Sequence, residues 1–572
     1  MRYHALATDY DGTLAHHGAV SAATLEAMRR LKASGRKLIL VTGRILEDLL
    51  AVFPETDLFD CLVVENGAVV VRPGTGEERI LGTPPPEAFA TALRERGVTP
   101  LGRGKVILAT WEPHEEAVLE TIREFGLEYQ VIFNKGAVMI LPGGVNKAAG
   151  LSQALQELGL SRHNLVAVGD AENDNAMLDA AECAVAVANA LPRLKERADL
   201  TTIGKSGEGV TELANRLIAT DLEEWAPRLE RHGIILGHRE DGSAVRVDPY
   251  SRGILLAGSS GGGKTTLASA FLEGLHDAGY QFCVFDPEGD YQGLEDAVEL
   301  GDAKYAPNRS EVIRVLERSG RNVVVSTLGI PFSDRPDFFQ ALFPELLALR
   351  ARKGRPHWIM ADEAHHLLPS LHGASPFNPP GASRGLFLVT VEPDHINRAV
   401  LEQIDWLFAL GRDAGDVLER YARALGQTLP DSPPFSLQPG EALAWRRDLP
   451  GPPFKLRCLP PRREQRRHMR KYSQGELGPD KHFHFRGPEG KLNLRAQNLM
   501  IFLQLAEGVD EATWLHHLRA GDYSRWFRDS IKDEDLAEAT ARIEAAALEG
   551  ISPSESLAAV RDLIEERYTG PI

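Results

Sequence analysis

The stretch Asp9-Tyr10-Asp11-Gly12-Thr13 follows a short apolar run, residues 3–8, near the start of the chain. An apolar run that ends in two carboxylates predicts a strand with an aspartate placed to attack phosphorus. A second stretch, GSSGGGKT at residues 258–265, follows another apolar run, residues 253–257. Its glycines and lysine predict a loop that holds the phosphates of a nucleotide triphosphate. The sequence therefore predicts two separate phosphate-handling sites.

Length and composition bound the number of domains and the class of protein. A chain of 572 residues is too long for one core, so three or four domains are expected. Hydrophobic residues make up 43% and charged residues 25%, as in ordinary globular proteins. No apolar run reaches about 18 residues, so neither a transmembrane helix nor a signal peptide is expected. The four cysteines are far apart, which argues against a zinc site or disulfides and favours a cytoplasmic location.

The charge of the chain is uneven. A net charge of −17 argues against a surface that binds nucleic acid broadly, although a nucleic-acid partner stays open. Residues 455–471 depart from this, with eight Lys or Arg and one Glu in a proline-rich context. No aromatic residues interleave there to stack on bases, so a solvated linker over residues 451–480 is favoured over a polyanion-binding strip.

The first third of the chain alternates strand and helix. Short apolar segments at residues 37–41, 61–64 and 164–168 are separated by helical stretches such as residues 21–34. This alternation predicts a parallel sheet with helices on both faces. Ligands bind such sheets at the carboxyl ends of the strands, and the polar clusters of this region fall there.

These clusters have a coherent chemistry. A carboxylate nucleophile at Asp9 repels a phosphate dianion, so it needs a cation and hydrogen-bond donors around it. We expect Mg²⁺ to bind Asp9, Asp170 and the backbone of Asp11 through hard oxygen atoms. Lys147 would add a fixed positive charge and Thr42 a hydroxyl donor. Asp11 would protonate the leaving alkoxide and later activate water.

Four motifs occur in order: DYDGT, VTGR, Lys147 and GDAEND. With them, residues 1–215 resemble the haloacid dehalogenase superfamily of phosphatases in its Cof-like branch, and the string ENGA at residues 65–68 is also similar. The resemblance implies a Rossmann-like core over residues 1–82 and 143–217. It also implies that Asp174 supports the metal site. The residues expected to contact the substrate phosphate are Gly12, Gly43, Arg44 and Asn173.

Residues 83–142 separate the second motif from the third and read as helix, strand, helix and strand pair. This segment resembles the small α/β cap of that branch, which excludes water and selects substrates. Its size is similar to that of caps on archaeal-type phosphoglycolate phosphatases and sugar-phosphate phosphatases, which implies a small phosphorylated metabolite as substrate. Arg103, Lys105 and Lys135 are candidate cap contacts, although a surface charge is the simpler interpretation of each.

The glycine-rich loop lies between a strand and a helix, the context that a Walker A loop needs. A helical linker, residues 218–231, and a hairpin precede it in a P-loop NTPase domain over residues 232–450. Lys264 would reach the β and γ oxygens of ATP, and Thr265 would bind Mg²⁺. The expected nucleotide-binding residues are Gly258, Ser259, Ser260, Gly261, Gly262, Gly263, Lys264, Thr265, Thr266 and Asp362.

An apolar strand at residues 357–361 ends in Asp362 and Glu363, a Walker B pattern. Asp362 would support the Mg²⁺ ligands, and Glu363 would polarise the attacking water. The acidic string DPEGDY follows another strand at residues 286–291, and Thr390 ends a later strand where it can sense the γ-phosphate. The set resembles the HerA/FtsK-type ATPases, which implies ATP binding and a homo-oligomer through this domain.

Two features of this domain limit the resemblance. In that family a glutamine commonly follows the sensor strand, whereas Val391 and Glu392 stand here, which puts pumping-type coupling in doubt. Arg412 is one candidate for an arginine finger among many arginines.

Residues 481–572 are expected to form a mainly α-helical domain. Leu494, Leu499 and Phe502 share one apolar face, and the tryptophans and nearby aromatic residues predict a core. His516 and His517 are adjacent and point to different faces of a helix, so a metal site is not favoured. This stretch resembles an uncharacterised helical module, and an interaction or regulatory role is the default.

Three functional hypotheses remain open. The first is a Mg²⁺-dependent phosphomonoester hydrolase fused to an ATPase. The second is a ring-forming ATPase motor that acts on nucleic acid with an accessory phosphatase. The third is a nucleotide-gated switch that controls the phosphatase.

Overall fold

The computed structural model describes residues 1–572 except 135, 225–229, 260, 295, 371–383, 431–434, 462–471, 473–476, 478–480, 532, 549 and 569–572. It contains two α/β domains with large sheets, a small α/β cap and a helical carboxyl-terminal region, which confirms the expected multidomain fold class. Lys135, Ser260 and most of the basic strip lie outside the described residues. No helix of the described part of the chain is long and apolar enough to cross a membrane.

The first domain is built on an eight-stranded sheet with the order β12-β11-β10-β1-β2-β3-β4-β5. Neighbours from β12 to β3 are parallel, and β4 and β5 extend the sheet as antiparallel strands. All five residues of β1 are buried, as expected for a parallel strand inside an α/β sheet. The elements are β1 (Ala5–Asp9), α1 (Ala22–Ala33), β2 (Lys37–Val41), α2 (Leu46–Val52), β3 (Cys61–Val64), β4 (Val69–Arg72), β5 (Glu77–Ile80) and, after the cap, α5 (Lys147–Leu158), β10 (Leu165–Gly169), α6 (Asn175–Ala180), β11 (Cys183–Ala186), α7 (Pro192–Arg197), β12 (Leu200–Thr201) and α8 (Ser206–Thr220).

The cap is a four-stranded antiparallel sheet with two helices. Its strand order is β6-β7-β9-β8, and Phe89, Leu93 and Val118 from the helices belong to its separate hydrophobic core. The elements are α3 (Glu87–Glu95), β6 (Gly102–Arg103), β7 (Leu108–Trp111), α4 (Glu115–Phe125), β8 (Tyr129–Asn134) and β9 (Ala137–Pro142).

The second domain is built on an eleven-stranded sheet with the order β14-β13-β23-β22-β21-β15-β20-β19-β16-β18-β17. Strands from β21 to β17 are parallel, and β22, β23, β13 and β14 form an antiparallel extension. The sheet includes residues 454–458, in the segment expected to be a linker. The elements are β13 (Ile234–His238), β14 (Ala244–Val247), β15 (Gly253–Gly258), α9 (Lys264–Ala278), β16 (Phe282–Asp286), β17 (Ala297–Leu300), α10 (Arg309–Leu316), β18 (Asn322–Ser326), α11 (Arg335–Lys353), β19 (Trp358–Ala361), α12 (Ala364–Leu367), β20 (Leu386–Thr390), α13 (Arg398–Leu401), β21 (Trp406–Leu410), α14 (Ala414–Ala424), β22 (Glu441–Arg446) and β23 (Phe454–Cys458).

In the described part of the carboxyl-terminal region, five helices and one hairpin pack around aromatic side chains, including the buried Phe502, Trp514 and Tyr523. His517 is buried and His516 is exposed, as expected for adjacent positions of a helix. The His517 Nδ1 lies 2.8 Å from Asp522 Oδ2, and its Nε2 accepts the Arg486 backbone N–H, so both ring nitrogens are engaged within the fold. The elements are β24 (Phe483–Phe485), β25 (Leu494–Ala496), α15 (Leu499–Gly508), α16 (Glu511–Ala520), α17 (Asp522–Asp529), α18 (Glu534–Leu548) and α19 (Pro553–Tyr568).

The two large sheets contact each other through the amino-terminal ends of their parallel strands. His163 precedes β10 and stacks on Tyr280, which precedes β16, with ring centroids 3.7 Å apart. The Tyr280 hydroxyl donates to Glu182, a fully buried carboxylate just before β11. Arg2 pairs with Glu182 at 3.0 Å and lies 3.6 Å above the ring of Tyr250, which precedes β15. One ion pair and three aromatic rings thus join the domains.

This contact determines where the two predicted sites lie. Two hydrogen bonds also cross the boundary between the domains. Arg355 donates to the Gly159 carbonyl at 2.8 Å, and the Asn164 side chain donates to the Gly354 carbonyl at 3.2 Å. Because ligands bind at the carboxyl ends of parallel strands, and the opposite ends are in contact, the two sites face away from each other.

Candidate functional site

The first candidate site lies at the carboxyl ends of β1, β2 and β10. Asp9 ends β1, Thr42 directly follows β2, and Asp170 directly follows β10. Lys147 begins α5, where the Asn146 side chain caps the helix by accepting the Ala149 N–H at 2.9 Å. The parallel register of three neighbouring strands therefore brings together side chains that are up to 161 positions apart in sequence.

The centre of this site is a buried lysine between two carboxylates. Lys147 Nζ donates to Asp9 Oδ1 and to Asp174 Oδ1, both at 2.6 Å. Each of Asp9, Asp170 and Asp174 offers an oxygen within 4.8 Å of the others, and all three are buried. Three clustered carboxylates are a donor set that suits Mg²⁺, which takes hard oxygen ligands.

Hydrogen bonds hold the acidic cluster in place. Asp174 Oδ2 accepts the backbone N–H groups of Asp170 at 2.9 Å and Ala171 at 3.0 Å. The Thr13 hydroxyl donates to Asp170 Oδ1 at 3.1 Å. The carboxylates are therefore positioned by the fold itself, as an enzyme site requires.

Burial changes the protonation equilibrium of Asp9, the predicted nucleophile. Burial and the Asp174 charge raise the pKa of Asp9 to about 7, against the opposing effect of Lys147. Burial lowers the pKa of Lys147, but Asp174 and Asp9 outweigh this and raise it overall. A divalent cation among these oxygens would favour the ionised, nucleophilic form of Asp9.

Asp11 takes part in a different contact. Its carboxylate accepts two hydrogen bonds from Arg44, Nε and Nη2, each at 2.7 Å. This hydrogen-bonded pair raises the pKa of Arg44. Both side chains are about one-third exposed, so the pair lies at the mouth of the site. If Asp11 acts as the predicted acid, its carboxylate would first have to leave Arg44.

Two further residues that are predicted to contact the phosphate, Gly12 and Asn173, lie in the loops after β1 and β10. Asn173 Nδ2 is 3.5 Å from Asn66 Oδ1, and the Asn66 N–H donates to the Thr42 carbonyl at 3.0 Å. Asn66 has a φ of 53°, uncommon for a residue other than glycine and seen at functional sites. Sequence reasoning noted the ENGA string without assigning Asn66 a role. Gly12 directly follows Asp11 in the loop after β1.

The cap covers the site at Gly43. The Met139 sulfur of β9 lies 3.1 Å from the position that a Cβ would occupy at Gly43, so this glycine allows the cap to approach. Arg103 and Lys105 make ion pairs with Glu87 and Glu78, respectively. Those two candidate cap contacts are therefore engaged by carboxylates of the fold.

The second candidate site follows β15. Gly258 has a φ of 155°, and a Cβ there would lie 2.2 Å from the Leu410 carbonyl oxygen, so only glycine fits. Lys264 Nζ donates to the carbonyls of Gly258 at 2.9 Å and Ser259 at 3.1 Å, which places it inside the loop. Burial lowers the pKa of Lys264. The described residues of this loop are Gly258, Ser259, Gly261, Gly262, Gly263, Lys264, Thr265 and Thr266.

Acidic residues that follow two adjacent strands, β16 and β19, face this loop. Thr265 Oγ1 lies 3.4 Å from Asp290 Oδ2. Asp362 directly follows β19. Burial and Asp290 raise the pKa of Asp362 well above its usual range, and burial and Glu288 raise that of Glu363 to about 7. Such a concentration of negative charge suits a bound Mg²⁺.

Glu363 and Thr390 are linked by a histidine. The Thr390 hydroxyl lies 3.1 Å from His365 Nδ1, which is 3.4 Å from Glu363 Oε2. Glu363 has a φ of 45°, a strained conformation for a glutamate at a predicted catalytic position. The sequence analysis assigns no role to His365, although it lies two residues after Glu363 in the string DEAH, residues 362–365. Arg412 is exposed.

Comparison with known proteins matches one family to each of the regions that contain these two sites. Residues 6–81 and 105–213 match the family described as haloacid dehalogenase-like hydrolase. A phosphoglycolate phosphatase of Methanothermobacter thermautotrophicus is 32% identical over 223 residues, which cover 37% of this chain and 98% of the relative. The chain belongs to the haloacid dehalogenase-like hydrolases.

Within this family, a phosphoglycolate phosphatase of Archaeoglobus fulgidus is also 32% identical, over 36% of this chain and 94% of the relative. Residues 236–341 of this haloacid dehalogenase-like hydrolase match a second family, described as the central domain of helicase HerA. The chain is thus a haloacid dehalogenase-type phosphatase fused to a HerA-like domain, as the sequence motifs predicted.

Proposed function

We propose that the amino-terminal domain hydrolyses the phosphomonoester of a small metabolite, such as phosphoglycolate or a sugar phosphate, through a phosphorylated Asp9. The observation that carries this proposal is the buried set of Lys147, Asp9 and Asp174 with Asp170 beside it. The phosphoglycolate phosphatases named above support the substrate class, because this chain covers almost their whole length.

The residues would act in two steps. An oxygen of Asp9 attacks phosphorus, the bond from phosphorus to the ester oxygen breaks, and Asp11 donates a proton to the leaving alkoxide. Asp11 then takes a proton from water, which attacks the same phosphorus and releases phosphate and free Asp9. Arg44, freed from Asp11, would turn to the phosphate as a charge-assisted donor with Thr42. Mg²⁺ held by Asp9, Asp170 and the Asp11 backbone, with Asp174 behind them, would neutralise charge on nucleophile and substrate.

We propose that the HerA-like domain binds and hydrolyses ATP. Lys264 and Thr265 would hold the phosphates and the ion, Glu363 would orient water, and Thr390 would report on the γ-phosphate through His365. The convergence of the loop with Asp362 and Asp290 supports this assignment. Because the two sites face opposite ways, product cannot pass directly between them. Two independent hydrolases are therefore favoured, with motor action on nucleic acid and a nucleotide-gated switch as alternatives.

The test is a pair of variants assayed for both reactions. Wild type should release phosphate from phosphoglycolate only with Mg²⁺ present, and Asp9→Asn should lose this activity while keeping ATP turnover. Lys264→Ala should show the reverse pattern. Failure of wild type to release phosphate from a broad panel of phosphate esters would remove the phosphatase proposal. DNA-stimulated ATP turnover would favour the motor, and phosphatase rates that depend on ATP would favour the switch.

A further inference from the structure

Glu65 is a buried carboxylate that the proposed reaction does not use. It directly follows β3, has a φ of 53° and is 1% exposed. Its Oε1 accepts the backbone N–H of Lys105 at 2.8 Å, and its Oε2 accepts those of Val106 at 2.8 Å and Ile107 at 3.1 Å. One side chain of the core thus binds three consecutive amides of the cap.

These amides belong to the loop between β6 and β7, and this loop packs on the core. Val106 and Ile107 are fully buried and lie in the hydrophobic cluster of the first domain, apart from the cap's own cluster. Gly104 comes just before them, and a Cβ there would lie 2.5 Å from the Glu65 carboxyl group. The close approach of cap and core therefore depends on a glycine on one side and a glutamate on the other.

The backbone around Glu65 also contacts the phosphate site. The Glu65 N–H donates to the Arg44 carbonyl at 2.8 Å, and the next residue, Asn66, donates to the Thr42 carbonyl at 3.0 Å. The same turn consequently binds the loop that carries Thr42 and Arg44 and the loop that joins two cap strands. Both sets of contacts are made by two consecutive residues, Glu65 and Asn66.

We propose that Glu65 is a positioning residue that latches the cap onto the core and so sets recognition of the part of the substrate beyond the phosphate. The inference rests on the proposed phosphatase function. All groups assigned to the chemical steps belong to the core, whereas the cap faces the remainder of the substrate. Loosening the latch should therefore impair esters that contact the cap more than esters that do not.

Hydrogen exchange tests the latch without any assay of activity. In Glu65→Gln, an NH₂ group replaces one carboxylate oxygen and cannot accept a hydrogen bond. The backbone N–H groups of residues 105–107 should therefore exchange at least about tenfold faster. Gly104→Ala should have the same effect from the cap side. Glu78→Gln is the matched control, because Glu78 also contacts Lys105, but through the side chain at the surface. Unchanged exchange at residues 105–107 in both test variants would overturn the proposal.

Kinetics then test the positioning role. Glu65→Gln should lower kcat/KM for phosphoglycolate at least about tenfold, mainly through KM, and lower that for p-nitrophenyl phosphate less than about threefold. Glu78→Gln should change neither value. An equal loss with both esters would overturn the proposal, because it would indicate damage to the core site. Absence of phosphatase activity in wild type would contradict the proposed function, whereas the exchange result would still decide whether the latch exists.

Discussion

The ring of His163 stacks on that of Tyr280 across the boundary between the phosphatase and HerA-like domains, with centroids 3.7 Å apart. His163 Nδ1 lies 2.7 Å from Glu182 Oε2, and the Tyr280 hydroxyl donates to the same carboxylate at 3.0 Å. His163 Nε2 is 2.8 Å from the Ala278 carbonyl oxygen. The buried Glu182 carboxylate therefore contacts aromatic side chains of both domains. We expect the two domains to unfold as one unit.

The first prediction concerns Glu182. Burial acts against its charge, but His163 and Arg2 lower the pKa of Glu182 to about 2. Glu182→Gln removes the counter-charge of Arg2 and the carboxylate that contacts His163 and Tyr280, so it should cost about 3 kcal/mol or more of stability. Calorimetry should show the phosphatase and HerA-like domains melting separately in the variant and together in wild type. The stabilisation is present above the ordinary pKa of 4.5 and should be lost as pH falls toward 2.

The control for this change is Glu223→Gln. Glu223 pairs with Arg384 and its side chain is 65% exposed, so removing its charge should change stability by less than about 1 kcal/mol. Equal effects of the two substitutions would contradict the role given to the buried network.

The second prediction concerns the protonation of Asp9. Its folded-state pKa of about 7 lies above its ordinary value of 3.8, so ionisation destabilises the fold progressively as pH rises between these values. In chelator at pH 8, Asp9→Asn should therefore be more stable than wild type by about 1 kcal/mol or more. The difference should disappear near pH 4. Thermal melts measure it, and added Mg²⁺ should stabilise wild type more than the variant.

The third prediction concerns the pair of Arg44 and Asp11. Lysine cannot reproduce the two parallel hydrogen bonds of a guanidinium, so Arg44→Lys should lower kcat/KM for a phosphate ester roughly 10- to 100-fold. Steady-state kinetics measure this loss. Arg103→Lys, which changes an ion pair with Glu87 on the cap surface, should have little effect. Full activity of Arg44→Lys would contradict phosphate binding by this arginine.

The fourth prediction separates the two sites. Glu363→Gln should lower ATP turnover by about 100-fold or more, because the water loses its polarising base, while ATP still binds. Phosphatase rates should stay at the wild-type level, since the sites face opposite ways. Glu402→Gln, which alters an exposed pair with Arg398, controls for surface charge. A parallel fall in phosphatase rate would instead indicate coupling between the domains.

Sequence reasoning located both sites because their residues lie in short strings at strand ends. Asp9 and Asp170 could be placed together from the expected register of a parallel sheet, whereas Lys147, at the start of a helix, is placed by the order of the four motifs. The pairing of Asp11 with Arg44 could not be predicted, because it depends on side-chain rotamers. The sequence shows the ENGA string but assigns no role to Glu65 or Asn66, because a left-handed backbone leaves no periodic signal.

The contact between the domains could not be predicted from the sequence either. Arg2, His163, Glu182 and Tyr280 are single residues before strands, spread over 278 positions, and no motif joins them. The sequence predicts a linker where β23 lies, because the prolines on either side of it and its basic residues outweigh five residues of β pattern.

The most direct test of the account is to trap the phosphoryl group on the enzyme. Asp11→Asn should slow the release of phosphate from Asp9, and p-nitrophenyl phosphate has a leaving group that needs no proton from Asp11. Acid quenching after mixing this variant with p-nitrophenyl phosphate and Mg²⁺ should therefore preserve the intermediate. Mass spectrometry should then find one phosphoryl group on the peptide that contains Asp9, and Asp9→Asn should abolish it. Phosphate release by wild type with no such label in the Asp11 variant, or with the label on another residue, would contradict the mechanism.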